Sequence, residues 1–402
     1  MFIYDLVILG AGPSGAAAAI SALRLAPDLK VLLVDKEFFP RDKPCGDGLG
    51  PGVVSVLEAI EAADILNGEI EINSCTVYGP DGSGFSCDLP TIDGRKLSGY
   101  VVPRIEFDQR LVRRAVEVGA ELLEGWSFDS LSDISPEPIS VSLKKDDESK
   151  IISARAVIAA DGANSRVRSF LKVARNSSRL TGIAIRAYGN SQYESKANSL
   201  IFEWSDRLLP AYAWYFPTSS EVVNVGLGLV VHDSQRRKFR LRENLGQFVK
   251  LLESRKLPLT DIRDERSYLL PHGARLPQLA HGRVMLIGDA GSMINPLSGE
   301  GIFYGMFAGA DVGRTFASLD STSKVEDAFA AAERRFRKRF TWHYRSNYVA
   351  SVMLRSRRWA SLVIRAAGRD PKVLTSGVQL LFGEGRLSIA TSFRILWAAR
   401  PW

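Results

Sequence analysis

Four groups of residues have types and spacings that can do chemistry. The first is Gly10-Ala11-Gly12-Pro13-Ser14-Gly15, with Asp35 twenty residues beyond Gly15. Gly10 suits a tight turn, Gly12 lets backbone N–H groups approach an anion, and Gly15 lets a helix pack closely on a strand. An acid at Asp35 is placed to accept hydrogen bonds from ribose hydroxyls, so the set reads as a dinucleotide cradle. The second group is Asp161-Gly162 and Gly288-Asp289, each at the end of an apolar run. The third is Cys45, beside Gly46, in a loop rich in charge and glycine. The fourth is Tyr212, Trp214 and Phe216, three large aromatics at alternate positions, followed by Gly226 and Gly228 in the next apolar run.

The elements that must position these groups follow from the apolar patterning. Residues 5–9 read as a short buried strand, the small-residue run after Gly15 as a helix, and residues 31–34 as a second strand ending on Asp35. Residues 155–162 and 283–289 read as further buried strands. Beyond Asp289 a loop containing Pro296, Gly299 and Gly301 feeds an apolar helix that begins near Gly301 and Ile302. Arg104 opens another helix. For Asp161 and Asp289 the competing role is to cap strands and turns, and for Arg104 it is to be a solvated arginine at a helix start. Residues 71–89 and 175–275 alternate like strands. On a strand, Tyr212, Trp214 and Phe216 project to one face and make a flat apolar wall. Such a wall suits a long hydrocarbon, held at about 25 cal/mol per Å² of apolar area. Gly226 and Gly228 leave room for that chain on the neighbouring strand. Ordinary sheet core gives the same pattern.

Composition narrows the class. The chain has 402 residues, 46% apolar and 24% charged, the balance of a globular protein of two or three domains. Cys45, Cys75 and Cys87 form no CxxC, and the four histidines form no metal-binding spacing, so neither a metal site nor a disulfide framework is expected. That cysteine pattern fits a reducing cytosol, and the first residues and the apolar runs lead to no expected signal peptide or membrane-spanning helix. The net charge of +7 is unevenly placed, because residues 333–402 carry fifteen Lys/Arg against three Asp/Glu. Those basic residues interleave with aromatics, which reads as contact with an anionic membrane surface on the inner face of the cell membrane. Amphipathic helices with a solvated basic face are the alternative. No nucleic-acid-binding motif accompanies the charge.

The order of GxGxxG, Asp161-Gly162 and Gly288-Asp289 resembles the fingerprint of group-2 FAD-dependent oxidoreductases over residues 1 to about 320. The resemblance implies FAD and an α/β fold in which a Rossmann-like FAD/NAD(P)-binding domain is interleaved with an antiparallel-sheet substrate domain (PHBH-like), plus C-terminal helices. The FAD domain is expected at 1–70, 99–170 and 280–320, the substrate domain at 71–98 and 171–279, and a basic helical segment at 321–402. FAD would contact Gly10 through Gly15, Asp35, Cys45, Gly46, Arg104, Asp161, Gly162, Gly288, Asp289, Pro296, Gly299, Gly301 and Ile302. A helix N-terminus at Gly301 would favour the negative charge of the reduced flavin. A single dinucleotide fingerprint implies an external reductant, NAD(P)H bound transiently or another donor.

Three motifs narrow the family. Tyr212-Ala-Trp214-x-Phe216-Pro217 with Gly226-Leu-Gly228 is similar to the YxWxFP…GxG motif of geranylgeranyl reductases. Residues 39–49, with Cys45-Gly46-Asp47-Gly48-Leu49, match that family's cysteine loop, and 295–302 match its flavin loop. The Cys-Gly-Asp-Gly-Leu form resembles the actinobacterial branch that saturates a double bond in the menaquinone side chain; many other members carry glycine in place of Asp47. The resemblance implies hydride delivery from reduced FAD to an isoprenoid double bond, with Cys45 as the first candidate proton donor and Tyr212 the second. Cys45 as a small apolar filler is the alternative. Geranylgeranyl diphosphate or a polyprenyl lipid stays open as the substrate. From another class, so does a flavin monooxygenase or halogenase, although YAWYFP departs from the WxWxIP of halogenases.

Overall fold

The computed structural model describes residues 3–92, 94–132, 138–191, 198–320 and 322–398. The first sheet grows from the short apolar runs. Ile3–Leu9 pairs in parallel with Val31–Asp35 on one side and with the second half of Glu148–Ala159 on the other. Glu121–Glu124 and Val284–Leu286 extend it in parallel at either flank. Parallel strands need cover on both faces, and alternate residues supply it. Leu6, Ile8 and Leu33 face a core shared with the helices Pro13–Leu25, Arg104–Glu117 and Ile302–Ala317. Val7, Leu9, Leu32 and Val34 face a second core formed with the hairpin Ser127–Leu131 and Ile139–Lys145.

The close approach of Pro13–Leu25 to Ile302–Ala317 sets the site's dimensions. Gly305, Gly309 and Gly313 recur every fourth residue and so share one helix face. A Cβ at Gly309 would lie 2.1 Å from the Ser14 carbonyl oxygen, and one at Gly313 would lie 2.3 Å from that of Ala18. Ser21 Oγ donates to the Ala310 carbonyl oxygen at 2.9 Å across the same seam. The two helices therefore begin side by side, although nearly three hundred residues separate them in the chain.

The second sheet has seven strands in the order Leu259–Pro271, Thr181–Ser191, Val222–Val230, Tyr212–Pro217, Ser199–Glu203, Ser74–Tyr78 and Gly84–Asp88. All neighbours are antiparallel except Ser199–Glu203 with Ser74–Tyr78. Register aligns Tyr188 with Asn224 and Phe216, then Arg186 with Gly226 and Trp214, then Ala184 with Gly228 and Tyr212. A small sheet of Gly48–Leu49, Gly99–Val101 and Glu71–Ile72 joins the two larger ones.

Four helices close the chain: Val325–Leu354, Arg357–Arg369, Pro371–Phe382 and Ile389–Ala398. They are tied to the 295–302 loop by polar contacts. Asn295 Nδ2 donates to the Leu380 carbonyl oxygen at 2.8 Å, and Tyr304 Oη lies 2.6 Å from His343 Nε2. Among the described residues no helix is long and apolar enough to cross a membrane. Cys75 and Cys87 face each other on paired strands with sulfurs 3.5 Å apart, both as free thiols. Their spacing in sequence gave no sign of this, because a hairpin brings them together.

Candidate active site

The glycine turn has the geometry its spacing requires. Gly10 holds φ +104, and a Cβ there would fall 2.2 Å from the Ala160 carbonyl oxygen. The helix Pro13–Leu25 starts with Gly12 as N-cap and no side-chain cap, so its first N–H groups are open to an anion. Asp35 is buried at the end of its strand; its Oδ2 accepts from Ala11 N at 2.8 Å and its Oδ1 from Glu37 N at 3.0 Å. A carboxylate has about four acceptor positions, so Asp35 orders the turn and keeps capacity for ribose hydroxyls.

The two later acids differ. Asp161 accepts from Ser165 Oγ at 2.6 Å, Arg166 N at 2.8 Å and Val167 N at 3.2 Å, so its carboxylate caps the short helix Arg166–Phe170. That is the capping alternative, and Gly162 follows it at φ +83. Asp289 instead faces the cavity, with Gly288 packed against Ser14, and its Oδ2 accepts from Lys43 Nζ at 2.9 Å. Lys43 also lies 4.9 Å from the ring centre of Tyr268. Burial is the largest influence and works against its charge, yet Asp289 and Tyr268 together outweigh it and raise the Lys43 pKa. Sequence reasoning missed Lys43, which sits two residues before the cysteine it had singled out.

Cys45 lines a cavity enclosed by the second sheet, the glycine turn, the 296–302 loop and the C-terminal helices. The Arg104 charge and the backbone N–H of Asp47 both favour a charged sulfur at this position. Burial nevertheless raises the Cys45 pKa, so the group is a thiol at neutral pH. Arg104 is itself buried and grips Asp108 with two bonds of 2.6 and 2.7 Å. It is therefore not the solvated arginine of the alternative reading.

Asp47 follows at φ 62 and is fully buried. Its carboxylate accepts from Tyr188 Oη at 2.6 Å, Asn224 Nδ2 at 2.7 Å and Arg104 N at 3.3 Å. Burial pushes its pKa up to about 6, with the Tyr188 and Asn224 hydrogen bonds and the Arg186 and Arg104 charges pulling the other way. The left-handed backbone explains why glycine also suits this position.

The aromatic wall is present and continuous. Trp204 stacks on Tyr212 at 5.4 Å, Tyr212 meets Trp214 at 6.0 Å, and Trp214 meets Phe216 at 6.3 Å. Each ring lines the cavity, and the Tyr212 hydroxyl donates to the Ser298 carbonyl oxygen. Gly46 lies on this wall, its absent Cβ only 3.2 Å from Trp214 Nε1. Gly226 corrects the sequence reading. A Cβ there would fall 2.2 Å from Trp214 Cζ2, so the indole itself occupies the space expected to be free for a substrate chain. Gly228 does line the cavity.

Pro296, Gly299, Gly301 and Ile302 line the cavity where the helix Ile302–Ala317 begins. Glu300, between them, accepts from Phe303 N at 3.0 Å, and burial raises its pKa to about 7. The open helix start, the glycine surface, Asp35 and Asp289 together fit an adenine dinucleotide.

The comparisons agree with this geometry. The family model described as an FAD binding domain matches residues 4–342. The chain is 33% identical to the menaquinone reductase of Mycobacterium tuberculosis, over 78% of this chain and 76% of that one. It is 28% identical to the digeranylgeranylglycerophospholipid reductase of Methanocella arvoryzae, over 78% of each. A solved geranylgeranyl bacteriochlorophyll reductase-like protein from Thermoplasma acidophilum shares the fold, with TM-score 0.79 at 20% identity, covering 98% of this chain and 95% of that one.

Proposed function

The chain belongs to the FAD-binding-domain family, in its geranylgeranyl-reductase-like branch of FAD-dependent oxidoreductases, and from that premise we propose that it saturates a carbon–carbon double bond in the prenyl tail of menaquinone. The observation that carries the reading is Cys45: a protonated thiol between Arg104 and the Asp47 N–H, in a cavity walled by Tyr212, Trp214 and Phe216.

Residues 10–15 and Asp35 would hold the adenosine and diphosphate, while Asp289, Lys43 and the 296–302 loop would hold the flavin side. When bound and reduced, FAD supplies the hydride for one alkene carbon. Cys45 gives its proton to the other carbon, and the charge left on sulfur falls between the Arg104 guanidinium and the Asp47 N–H, which offsets it. The aromatic wall excludes water and holds the chain flat against the reacting groups. An external reductant, NAD(P)H or another two-electron donor, restores the reduced cofactor.

Charge pairing favours an uncharged substrate over a prenyl diphosphate. Four of the cations lining the cavity each pair with a carboxylate, Lys43 with Asp289, Arg104 with Asp108, Arg186 with Asp42 and Arg355 with Asp233, while the fifth, the half-exposed Arg266, shares Asp42 at 3.6 Å. A membrane-borne substrate also suits the C-terminal surface. Ile389, Phe393, Leu396 and Trp397 share one face of their helix and are 49 to 78% exposed, and Trp342 and Val349 stand out beside Arg345. We assign this face to an anionic lipid surface.

The test is anaerobic reduction of the FAD-loaded protein with dithionite, followed by menaquinone in detergent. A product heavier by two hydrogens in the side chain, surviving reoxidation of the ring, is the expected result. Reduction of geranylgeranyl diphosphate instead moves the substrate; reaction only with oxygen and a phenol replaces the reductase by a monooxygenase.

A further inference from the structure

The cavity is chemically asymmetric along the second sheet. At the end where Asn224 meets the Cys45 carbonyl, Ile72, Cys75, Leu89 and Leu200 make an apolar lining opposite Cys45 and Arg104. The other end, six residues along the same strand at Val230, has polar groups from two separate elements. Six residues of strand span about 20 Å.

His272 follows the strand Leu259–Pro271, lines the cavity and is only 4% exposed. Its backbone is fully engaged, N donating to the Leu180 carbonyl oxygen at 3.0 Å and O accepting from Asn176 Nδ2 at 2.9 Å. Its ring lies over Gly182, where a Cβ would come within 2.7 Å of Nε2, and its buried Nδ1 has no partner among the described residues. A buried imidazole nitrogen without a partner costs free energy unless a ligand supplies one. Arg355, at the end of the helix Val325–Leu354, pairs with Asp233 at 2.8 Å and reaches Ser351 Oγ at 3.5 Å. Arg355 and Ser351 line the same end.

Burial and the Arg355 charge hold the His272 pKa at about 3, so the imidazole is neutral at physiological pH. The Ser351 hydroxyl donates to the Tyr348 carbonyl oxygen at 2.8 Å and accepts from Arg355, so the donors facing a ligand are a neutral imidazole and a guanidinium whose charge Asp233 already balances, which suit a neutral oxygen acceptor, not a diphosphate.

The geometry points to a head-group subsite at His272 and Arg355, with Ser351 positioning the guanidinium, that takes an uncharged carbonyl oxygen, such as that of a quinone ring, with the prenyl tail running back along the aromatic wall toward Cys45. This deepens the reductase reading and rests on it. The subsite explains how one double bond among several alike is selected: the anchored head sets which isoprene unit reaches the thiol.

Two variants test it, His272→Leu and Ser351→Ala; the second removes one hydroxyl and leaves the Arg355–Asp233 pair in place. Dissociation constants for menaquinone come from the change in flavin absorbance on titrating the oxidised FAD-loaded protein, so they do not depend on turnover. Specificity comes from kcat/KM for menaquinone against squalene, a prenyl hydrocarbon with no head group. About tenfold weaker quinone binding in His272→Leu, with a similar fall in the menaquinone-to-squalene preference in both variants, is expected. An unchanged preference and unchanged quinone affinity in both folded variants overturns the subsite. So does a wild type that takes geranylgeranyl diphosphate in preference to menaquinone. A wild type that binds menaquinone and reduces no alkene sinks the reductase reading while the binding comparison still decides the subsite.

Discussion

Asn224 Nδ2 donates to the Cys45 carbonyl oxygen at 2.8 Å, although the two are 179 positions apart in the chain. The same amide nitrogen donates to Asp47 at 2.7 Å, and its oxygen accepts from Trp214 Nε1 at 2.9 Å. One side chain thus fixes the cysteine loop, the buried acid and the aromatic wall relative to each other. Every hydrogen-bonding group of that carboxamide except one acceptor position is in use.

Cys45→Ala is expected to lower turnover about 100-fold, the lower range for loss of a general acid, with FAD content unchanged. Cys45→Ser should fall between the two. Product formation by mass spectrometry after a single reduction checks both, and full turnover in Cys45→Ala removes the proton-donor role.

Gly226 and Gly228 should respond differently to alanine. At Gly226 the new methyl meets Trp214 at 2.2 Å and the Ile185 carbonyl oxygen at 2.4 Å, so the variant should lose about 2–3 kcal/mol through overpacking. At Gly228 the nearest atom, Ala184 Cβ, is an ordinary 3.4 Å away. That variant should keep its stability and raise KM by narrowing the cavity. Denaturation midpoints and steady-state kinetics separate the two.

The pH dependence of stability should carry the mark of Asp47. Its pKa rises from 3.8 to about 6 on folding, so the native state holds the proton more tightly than the unfolded chain. Its contribution to stability is present below pH 4 and declines as pH rises through 6. Asp47→Asn should remove that decline, so the variant gains on wild type by up to about 3 kcal/mol between pH 4 and 7. Urea titrations at several pH values measure the difference; parallel curves would show that Asp47 does not titrate in this window.

Binding to vesicles of anionic lipid should exceed binding to neutral vesicles and weaken with salt, as expected for a basic face bearing exposed aromatics. Phe393→Ser with Trp397→Ser should weaken it without changing the flavin spectrum. Sedimentation with vesicles reads both, and indifference to lipid charge would remove the membrane from the account.

Oxidised glutathione should join Cys75 to Cys87, whose strands already place the sulfurs 3.5 Å apart. The expected mass change is a loss of two hydrogens, absent in Cys87→Ser. Retention of two free thiols after oxidation would show that the pair is shielded.

The glycine turn, the strand before it, the acid at Asp35 and the aromatic alternation at 212–216 were legible because each depends on residues close in the chain. Turn stereochemistry, helix starts and the two-residue period of a strand are local, and a sequence states them directly. The roles of Asp161, Lys43, Asp47, Gly226 and Asn224 were not legible, because each depends on which distant atoms arrive beside it. Asp161 and Asp289 look alike as acids ending apolar runs, yet one caps a helix and the other faces Lys43 across the cavity. Gly226 looked like open space until the register of two strands laid the Trp214 ring over it. The sequence by itself determined the cradle and the sheet types. Only the tertiary structure decided which buried polar groups satisfy one another, since a hydrogen bond requires its partners within about 3 Å wherever the chain has carried them.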